Sequence, residues 1–594
     1  MALVQTLSRF DRTGWRPVSA LLRFLGVTVA VLVGLALAGR GGAVLAGLGA
    51  LYAGMASFGG VHQARLKRMV LATLGATATT FVGCLVGTND VLTVVFVVIG
   101  AFLLSLLGAA GADAAQVATQ ATAILVVLSG LQGSSAFPLG NAALVMGGGL
   151  GQALILMLFH PISPVAAERR AMEGVYAGLA RFASSGGKEA PLPSAAPHAA
   201  ARDLLRSAFS YGSRPELLKL WTELELADAI RGNLSGLARV GAQREVWEAL
   251  AEWLEAAADE IARGRAITRK APEFGLSLLS PLQDEPLGEG ELALPWLKRI
   301  QAMIEAEEEG RMPVGIPPPR SWLLALKNVE TVRALALGHA LRYSFAVGVA
   351  TAVYRWFRVD HGYWAALAVA FSLRPDFATT IVRSVGRIVG TAIGVGLATA
   401  FVFAFHPQTT GLTLGMLAAV WFAFSLQNAT YVGFSAGLAF YVVMSVSLSG
   451  LAFSTAGIER VGATAAGSIF ALAVAVLWPK WEAGNVRSVL AAAFATQAEY
   501  ALAVAESRDA AGLDAARFQA RAARLEAERT VSAAGFEPWW LRRRHLEGAG
   551  PALSRLAENA ARILAVHVAG DRSSAEDLRR LAAEDRGTAA DLMG

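Results

Sequence analysis

Apolar residues along this chain of 594 residues are gathered into two series of long runs. A run of about twenty apolar residues is long enough to cross the hydrocarbon core of a bilayer as a helix. The pattern predicts spans near 18–38, 41–58, 69–88, 91–109, 114–132 and 137–159, and again near 335–356, 361–374, 384–405, 409–426, 429–448 and 457–478. The second run of each series is short, which indicates a broken or tilted helix.

Two long segments lie outside these series. Residues 165–330 are rich in charge and carry apolar residues at helical spacing, and the chain turns polar again after residue 480. The pattern therefore predicts an all-α, polytopic membrane protein in four parts. These parts are a first transmembrane bundle over 1–163, a helical cytoplasmic domain over 164–330, a second bundle over 331–481 and a helical cytoplasmic tail over 482–594.

The two series are related by a nearly constant offset. The matching pairs are Arg23 and Arg342, Arg68 and Arg387, and Pro161 and Pro479, and their separations along the chain agree to within a single position. One offset that holds across a whole bundle indicates a duplicated unit. Because each copy has about six spans, an even number, it begins and ends on the same side of the membrane, and the copies are expected to be parallel.

The amino-acid composition agrees with a membrane protein and argues against several kinds of catalytic and metal site. Hydrophobic residues make up 55% of the chain and charged residues only 16%. Cys84 is the only cysteine, the eight histidines are scattered, and no lysine precedes Ser or Thr in a glycine-rich loop. We therefore expect neither a metal nor another cofactor, and no enzymatic activity.

The net charge of +6 points to lipid headgroups rather than nucleic acid, because the basic residues flank apolar runs. The larger group of basic residues contains Arg9, Arg12, Arg16, Arg65, Lys67, Arg68, Arg374, Arg383, Arg387 and Lys480. The smaller group, on the opposite side, contains Arg40, Arg355, Arg358 and Arg460. By the positive-inside rule, this bias predicts that the termini and the central domain are cytoplasmic.

The stretch from 361 to 394 concentrates polar residues between apolar runs. Arg374, Pro375 and Asp376 form a turn signal, and Arg383 and Arg387 lie on one face of the following helix. With Arg65 and Arg68 of the first half, these arginines would form an electropositive entrance for organic anions. The alternative is that they are topology anchors.

Aromatic, acidic, amide and glycine residues complete the candidate path. Tyr363 and Trp364, next to His361, would stack on an aromatic substrate or belong to an interfacial aromatic belt. The candidate proton carriers are Glu459, Asp113 and Asp376, which would otherwise be ordinary interfacial charges. Gln116, Gln120, Gln427 and Asn428 would line a polar path or join helices by hydrogen bonds. Glycines that allow close helix packing are Gly386, Gly390 and Gly394 in the second half and Gly75 and Gly83 in the first.

One pattern in the second half resembles the fusaric acid resistance family. The pattern comprises Tyr363-Trp364, Arg374-Pro375, Arg387, Gly390-Thr391, Gly394 and Trp478-Pro479; in the first half it is degraded, with Val44-Leu45 in place of Tyr-Trp and Ser57 opposite Asp376. The family includes aromatic carboxylic acid efflux pumps of bacterial inner membranes.

The resemblance implies an inner-membrane exporter of aromatic or other weak organic acids, and the lack of a nucleotide-hydrolysing motif predicts that the proton gradient drives it. The resemblance also implies a homodimer and a periplasmic adaptor as candidate partners, besides the lipid bilayer and the anion itself. A more distant likeness to plant malate channels leaves a gated organic-anion channel open. A membrane scaffold without transport activity is the third alternative.

Overall fold

The computed structural model describes residues 10, 15, 17–57, 62–109, 111–131, 137–159, 165–188, 192–209, 215–264, 289–310, 330–448, 453–478, 481–569 and 574–593. Several residues used above lie outside these ranges, namely Arg9, Arg12, Arg16, Pro161, Pro479 and Lys480. Within the described ranges the chain is helical and contains no strand. The predicted all-α membrane fold is confirmed.

The helices are, in chain order, α1 Pro17–Met55, α2 His62–Val86, α3 Asp90–Gly108, α4 Ala112–Gly130, α5 Pro138–Phe159, α6 Ala166–Ser184, α7 Ala196–Phe209, α8 Pro215–Val240, α9 Arg244–Ala262, α10 Glu289–Glu308, α11 Glu330–Trp356, α12 Tyr363–Ser372, α13 Phe377–Phe405, α14 Thr409–Leu426, α15 Tyr431–Leu448, α16 Phe453–Leu477, α17 Val486–Ala505, α18 Ala510–Ala534, α19 Trp539–His545, α20 Ala549–Ala569 and α21 Ala575–Met593. They fall into two compact units. The first unit combines Met1–Phe58, His62–Ile162 and Arg320–Lys480, and the second combines Gly59–Val61, Ser163–Pro319 and Trp481–Gly594.

Helix α1 contains two of the predicted spans. Its backbone leaves the helical region at Ala38 (φ −143°, ψ 25°) and at Gly39 (φ 63°, ψ −154°). Glycine occupies such a positive φ at little steric cost, so the break falls where the sequence permits it. The two segments of α1, 17–38 and 40–55, match the first two apolar runs.

Eight described helices are long and apolar enough to cross a membrane. One of them, Ala483–Ala505, lies in the second unit, where it was not predicted to be a span. Its apolar residues, including Phe494 and Leu490, are buried against α18, α20 and α21. We therefore interpret this helix as the core of the second unit. Shorter helices, such as the ten-residue α12, complete the first unit.

Helices of the two halves of the first unit correspond at the offset found in the sequence. The starts of α3 and α14, the starts of α4 and α15, and the ends of α2 and α13 are all separated by the offset that relates Arg23 to Arg342. The packing partners also correspond: α2 packs on α4 and α5, as α13 packs on α15 and α16. Two contacts join the halves: α11 packs on α3, and α1 packs on α14. Because α11 corresponds to the first segment of α1 and α14 corresponds to α3, the two contacts are equivalent.

Two glycines of α13 bring this helix close to α15. A Cβ atom added to Gly390 would lie 2.5 Å from the carbonyl oxygen of Val432, and Gly394 faces the backbone of Ala436 equally closely. In the first half, a Cβ atom at Gly83 would lie 3.1 Å from the backbone nitrogen of Ser129 in α4, whereas Gly75 leaves room for ordinary contact. Gly386 is buried in α13.

The central segment and the tail fold together in the second unit. Arg231 of α8 donates two hydrogen bonds, of 2.9 and 2.8 Å, to the carboxylate of Glu528 in α18. Arg521 of α18 forms a similar buried pair with Glu225 of α8. Buried charges of this kind are tolerated only when they are paired, so these contacts fix α18 on α8.

Candidate functional site

The Arg-Pro-Asp turn joins α12 to α13 and is held by a buried arginine of α11. Pro375 follows the end of α12 closely, and the Asp376 side chain caps α13 by accepting a hydrogen bond of 2.7 Å from the backbone nitrogen of Thr379. Arg342 donates hydrogen bonds of 2.7 and 2.9 Å to the carbonyls of Arg374 and Pro375. The turn is therefore positioned by Arg342.

The same clamp occurs in the first half, where its partner differs. Arg23, the counterpart of Arg342, donates a hydrogen bond of 2.7 Å from Nε to the hydroxyl of Ser57. Ser57 is in turn the counterpart of Asp376 at the same offset. The arginine pair that suggested the repeat thus performs the same structural task in both halves.

The residues of the candidate path separate into two clusters at opposite ends of α12. His361, Tyr363 and Trp364 stand at its start, whereas Arg374 follows its end. Ten helical residues span about 15 Å, so a small ligand cannot contact both ends at once. The aromatic residues and Arg374 therefore do not form one site.

The cluster at the start of α12 is aromatic and partly charged. His361 Nδ1 lies 2.8 Å from Glu459 Oε2, and the His361 ring stacks on Trp364 with 5.3 Å between ring centroids. The guanidinium of Arg460 lies 4.9 Å from the centroid of Trp364. Tyr363 and Trp364 are buried in the core of the first unit, so their rings contact protein.

The cluster beyond the end of α12, which we call the arginine cluster, consists of Arg374, Arg383, Arg387 and Tyr431. The Cζ atom of Arg383 lies 5.3 Å from the ring centroid of Tyr431, and that of Arg387 lies 4.7 Å from the ring centroid of Phe371. All three arginines interact electrostatically with Tyr431. Three positive charges therefore converge on the start of α15.

Within the part of the chain that the structure describes, no carboxylate lies within 4 Å of these three guanidinium groups. Arg387 is only 8% exposed. Buried polar atoms near it have no hydrogen-bond partner among the described residues; they are Nε of Arg374 and Arg387 and Oγ of Ser384 and Ser435. The hydroxyl of Tyr431 belongs to the same set. Guanidinium and hydroxyl groups can all donate hydrogen bonds to an anion.

The counterpart of this cluster in the first half is neutralised. Arg68, which corresponds to Arg387, lies 2.9 Å from the carboxylate of Asp113. Position 432, which corresponds to Asp113, is a valine. Arg65 is buried in the first half and corresponds to Ser384. The two halves thus differ in how their charges are paired at equivalent positions: Arg68 has a carboxylate partner, whereas position 432 supplies none to Arg387.

Two of the glutamines join helices. The side-chain amides of Gln116 and Gln427 both donate to the carbonyl of Met55, at 2.9 and 3.3 Å. Gln120 is buried, and neither atom of its amide has a hydrogen-bond partner among the described residues. Bonding between helices thus explains two of the amides that were considered for a polar path.

A cavity of about 230 Å³ lies beside Arg374. It is lined by the four elements α3, α4, α11 and the turn, and its polar residues are Ser105, Thr119, Thr122, His339, Tyr343 and Arg374. Arg374 Nη1 donates a hydrogen bond of 2.9 Å to the hydroxyl of Thr119. A larger groove of about 870 Å³ between α1 and α5 has no ionisable side chain in its lining, so it suits lipid better than a charged ligand.

The three candidate proton carriers each have a partner. Asp113 pairs with Arg68 and is 54% exposed, Asp376 caps α13, and Glu459 bonds with His361. Glu459 and His361 are 40% and 28% exposed. Of the three, Glu459 is the one hydrogen-bonded to a histidine, whose ring can both accept and donate a proton, so it is the best placed for proton exchange.

Sequence reasoning missed the roles of Tyr431 and Arg355. Tyr431 receives the charges of α13 only because α13 and α15 pack together. Arg355, which was counted as a basic residue on the outer side, is buried and bonds with Asp90 and with the carbonyl of Gly87 at 3.1 and 2.8 Å. It joins α11 to the ends of first-half helices, so it does not weigh against the predicted orientation.

Comparison with known families places the site within a matched region. Residues 349–474 match the model of a family described as fusaric acid resistance protein-like. This region includes α12 through α15, and with them the whole arginine cluster. No solved structure matches the chain significantly.

Three curated relatives share a similar degree of identity. The inner membrane protein YccS of Escherichia coli is 28% identical over 222 residues, which are 37% of this chain and 30% of YccS. An uncharacterized protein of Haemophilus influenzae is 28% identical over 191 residues, 30% of this chain and 26% of that protein. Uncharacterized protein ORF2 of Neisseria gonorrhoeae is 28% identical over 169 residues, 28% of this chain and 40% of that protein. The matches therefore span well under half the length of these relatives.

Proposed function

Because residues 349–474 match the fusaric acid resistance protein-like family, we propose that this multi-pass membrane protein exports small organic acids as anions. Aromatic and other weak carboxylic acids are the proposed substrates, and the bacterial inner membrane is the proposed location. The name of the relative YccS supports that location.

The observation that carries the proposal is the difference between Arg387 and Arg68. Arg68 has the counter-ion Asp113, whereas Arg387 has no carboxylate partner among the described residues although it is buried. A charge that is removed from water without a partner is strongly destabilising. A membrane protein keeps such a charge where it binds or conducts an ion of opposite sign.

We further propose that the proton gradient drives export. The His361–Glu459 pair is partly exposed and lies one α12 length away from Arg374. Protonation of this pair from the outside would alter the electrostatics at the start of α12 without contact with the anion. The basic-residue bias supports an arrangement in which the arginine cluster faces the cytoplasm.

Reconstitution into liposomes tests the transport activity. The purified protein would be assayed with radiolabelled 4-hydroxybenzoate, with and without a pH gradient, and we expect uphill flux when the gradient is present. Arg387→Gln should raise KM about tenfold, because one charge at an effective dielectric constant near 20 contributes on the order of 1 kcal/mol or more to anion binding. Arg40→Gln, at an exposed residue of α1, is the matched control and should retain the flux.

The other outcomes of this assay have distinct meanings. Flux that only follows the concentration gradient of the acid would identify an anion channel. Absence of flux for every acid tested would support a membrane scaffold without transport activity. If Arg387→Gln has the KM of the wild type at low ionic strength, the residues of the arginine cluster act only as topology anchors. Reporter fusions at residues 190 and 590 test the orientation, and both should be cytoplasmic.

A further inference from the structure

We propose that the anion attracted by the arginine cluster binds in the 230 Å³ cavity beside Arg374, a member of that cluster, and that the equivalent site in the other half has been closed by largely apolar side chains. The inference rests on the proposed transport of organic acids and says where the acid binds. The ligand class is a monocarboxylate of about the size of benzoate.

The cavity offers both a cationic and an apolar side to such a ligand. Arg374 lines it, and its Nε atom has no hydrogen-bond partner among the described residues. The rings of His339 and Tyr343, with centroids 5.7 Å apart, form part of the lining, together with several alanines. A carboxylate at the guanidinium would therefore place its hydrocarbon part against rings and methyl groups.

The volume restricts the size of the ligand. The cavity of about 230 Å³ corresponds to roughly eight water molecules in liquid water. This volume admits a single substituted ring with its carboxylate. Because the cavity is partly open, the ring and its carboxylate are the part of a ligand that it would enclose.

The offset between the halves locates the equivalent site in the other half, and there only one of the six corresponding residues, Tyr441, has a polar group on its side chain. The lining residues Ser105, Thr119, Thr122, His339, Tyr343 and Arg374 correspond to Phe424, Leu438, Tyr441, Ala20, Phe24 and Met55. All six of the latter belong to the apolar core of the first unit or pack directly against it. Phe424 is 1% exposed and Met55 6%.

This replacement removes both the charge and the space. Arginine has become methionine, and the place of the small Ser105 is taken by a phenylalanine that is packed against Gly54. A carboxylate in that apolar core would lack a strong donor and would be strongly disfavoured. Only one of the two equivalent positions in the duplicated bundle therefore keeps the cavity, and we expect this cavity to bind one anion per chain.

Protection from thiol labelling tests the location of the site. Cys84 is the only cysteine and is buried, so Cys84→Ala gives a background for single cysteines. Ser105→Cys should react with a maleimide, and 4-hydroxybenzoate should slow this reaction with a half-maximal concentration close to the transport KM. Leu103→Cys on the same helix, which is 54% exposed, is the control and should not be protected.

Filling the cavity provides a second, independent measurement. Ser105→Phe introduces the residue of the closed site and should lower binding at least tenfold, whereas Leu103→Phe should leave it unchanged. Arg374→Gln should abolish the protection of Ser105→Cys, and an unfolding midpoint in detergent close to that of the wild type would show that the variant folds. If Ser105→Phe fails to fold, Thr122→Val is the replacement variant. It removes one polar group from the lining and should weaken binding slightly.

The outcomes separate this inference from the proposed function. Transport that persists while Ser105→Cys is labelled equally with and without the acid would overturn the assignment of the cavity and leave the transport proposal intact. Protection without flux would support the cavity and contradict transport. Calorimetry that shows two molecules of the acid bound per chain, in a biphasic isotherm, would contradict the closure of the equivalent site.

Discussion

Arg68 lies 2.9 Å from the carboxylate of Asp113, and no such ion pair exists at Arg387 within the described residues, although the two arginines occupy equivalent positions of the two halves. The residue that would supply the carboxylate in the second half is Val432, at the start of α15. One substitution therefore separates a neutralised arginine from one that is available to a ligand. This difference gives the first prediction.

Val432→Asp should supply Arg387 with the counter-ion that Arg68 already has. An aspartate in the first turn of α15 also agrees with the helix dipole, so we expect the variant to fold. Competition between this internal carboxylate and the anion should raise the KM for 4-hydroxybenzoate about tenfold or more. Val432→Asn, with the same shape and no charge, is the control; equal KM values in both variants would contradict the role of charge.

Arg342→Gln should destabilise the first unit, because Arg342 holds the Arg-Pro-Asp turn through the carbonyls of Arg374 and Pro375. Hydrogen bonds from a charged donor contribute about 1.5 to 3 kcal/mol each, so the expected loss for these two bonds is about 3 to 6 kcal/mol. Thermal unfolding in detergent measures the loss. Arg358→Gln, whose side chain is 79% exposed, should shift the midpoint very little.

Gly390→Ala should destabilise the packing of α13 on α15. Its new methyl group would lie 2.5 Å from the carbonyl oxygen of Val432, a distance that requires the helices to move apart. Overpacking of this kind costs about 1 to 3 kcal/mol. Gly396→Ala on the same helix meets no atom within 4 Å and should be neutral or stabilising. Similar unfolding midpoints for both variants would show that α13 and α15 do not depend on close contact.

Glu223 should make the second unit less stable as the pH rises. Burial, with a smaller contribution from Glu307, raises the pKa of Glu223 to about 8 from its ordinary value of 4.5. Between these values the folded state binds more protons than the unfolded state, so stability is lost as pH increases. The expected loss from pH 5 to pH 8 is on the order of 3 kcal/mol.

Glu223→Gln is the variant that tests this pH dependence. It keeps the shape of the side chain and removes its titration, so its unfolding midpoint should vary less between pH 5 and pH 8 than that of the wild type. Glu255→Gln, in the neighbouring α9 at an exposed position, is the control. A wild-type pH profile in Glu223→Gln would show that another group is responsible.

Arg231→Met should loosen the tail from the central segment. Arg231 and Glu528 are buried and joined by two hydrogen bonds, so loss of one partner leaves a buried charge and should cost about 3 to 5 kcal/mol. The double variant Arg231→Met and Glu528→Leu should recover most of this loss. Limited proteolysis of the full chain measures it, with faster cleavage of the tail expected in the single variant alone.

The sequence by itself determined the fold class, the approximate spans and the offset between the halves. Apolar runs of about twenty residues have few alternatives to membrane-spanning helices, because unpaired backbone groups are excluded from lipid. The offset was readable because Arg23 and Arg342 perform the same local task in both halves, clamping the chain that follows the second segment. Apolar runs and repeated local contacts depend on residues that are near each other in the sequence, so they can be recognised without the tertiary structure.

Tertiary structure alone decided which of the candidate residues act together. His361 and Arg374 are close in sequence, yet α12 holds them at opposite ends, whereas Tyr431 joins the arginines from a distant helix. The cavity beside Arg374 exists because helices of both halves meet there, and Phe424 fills its counterpart. Packing between distant segments sets charge pairing and empty volume, and neither quantity is encoded by the spacing of residues along the chain.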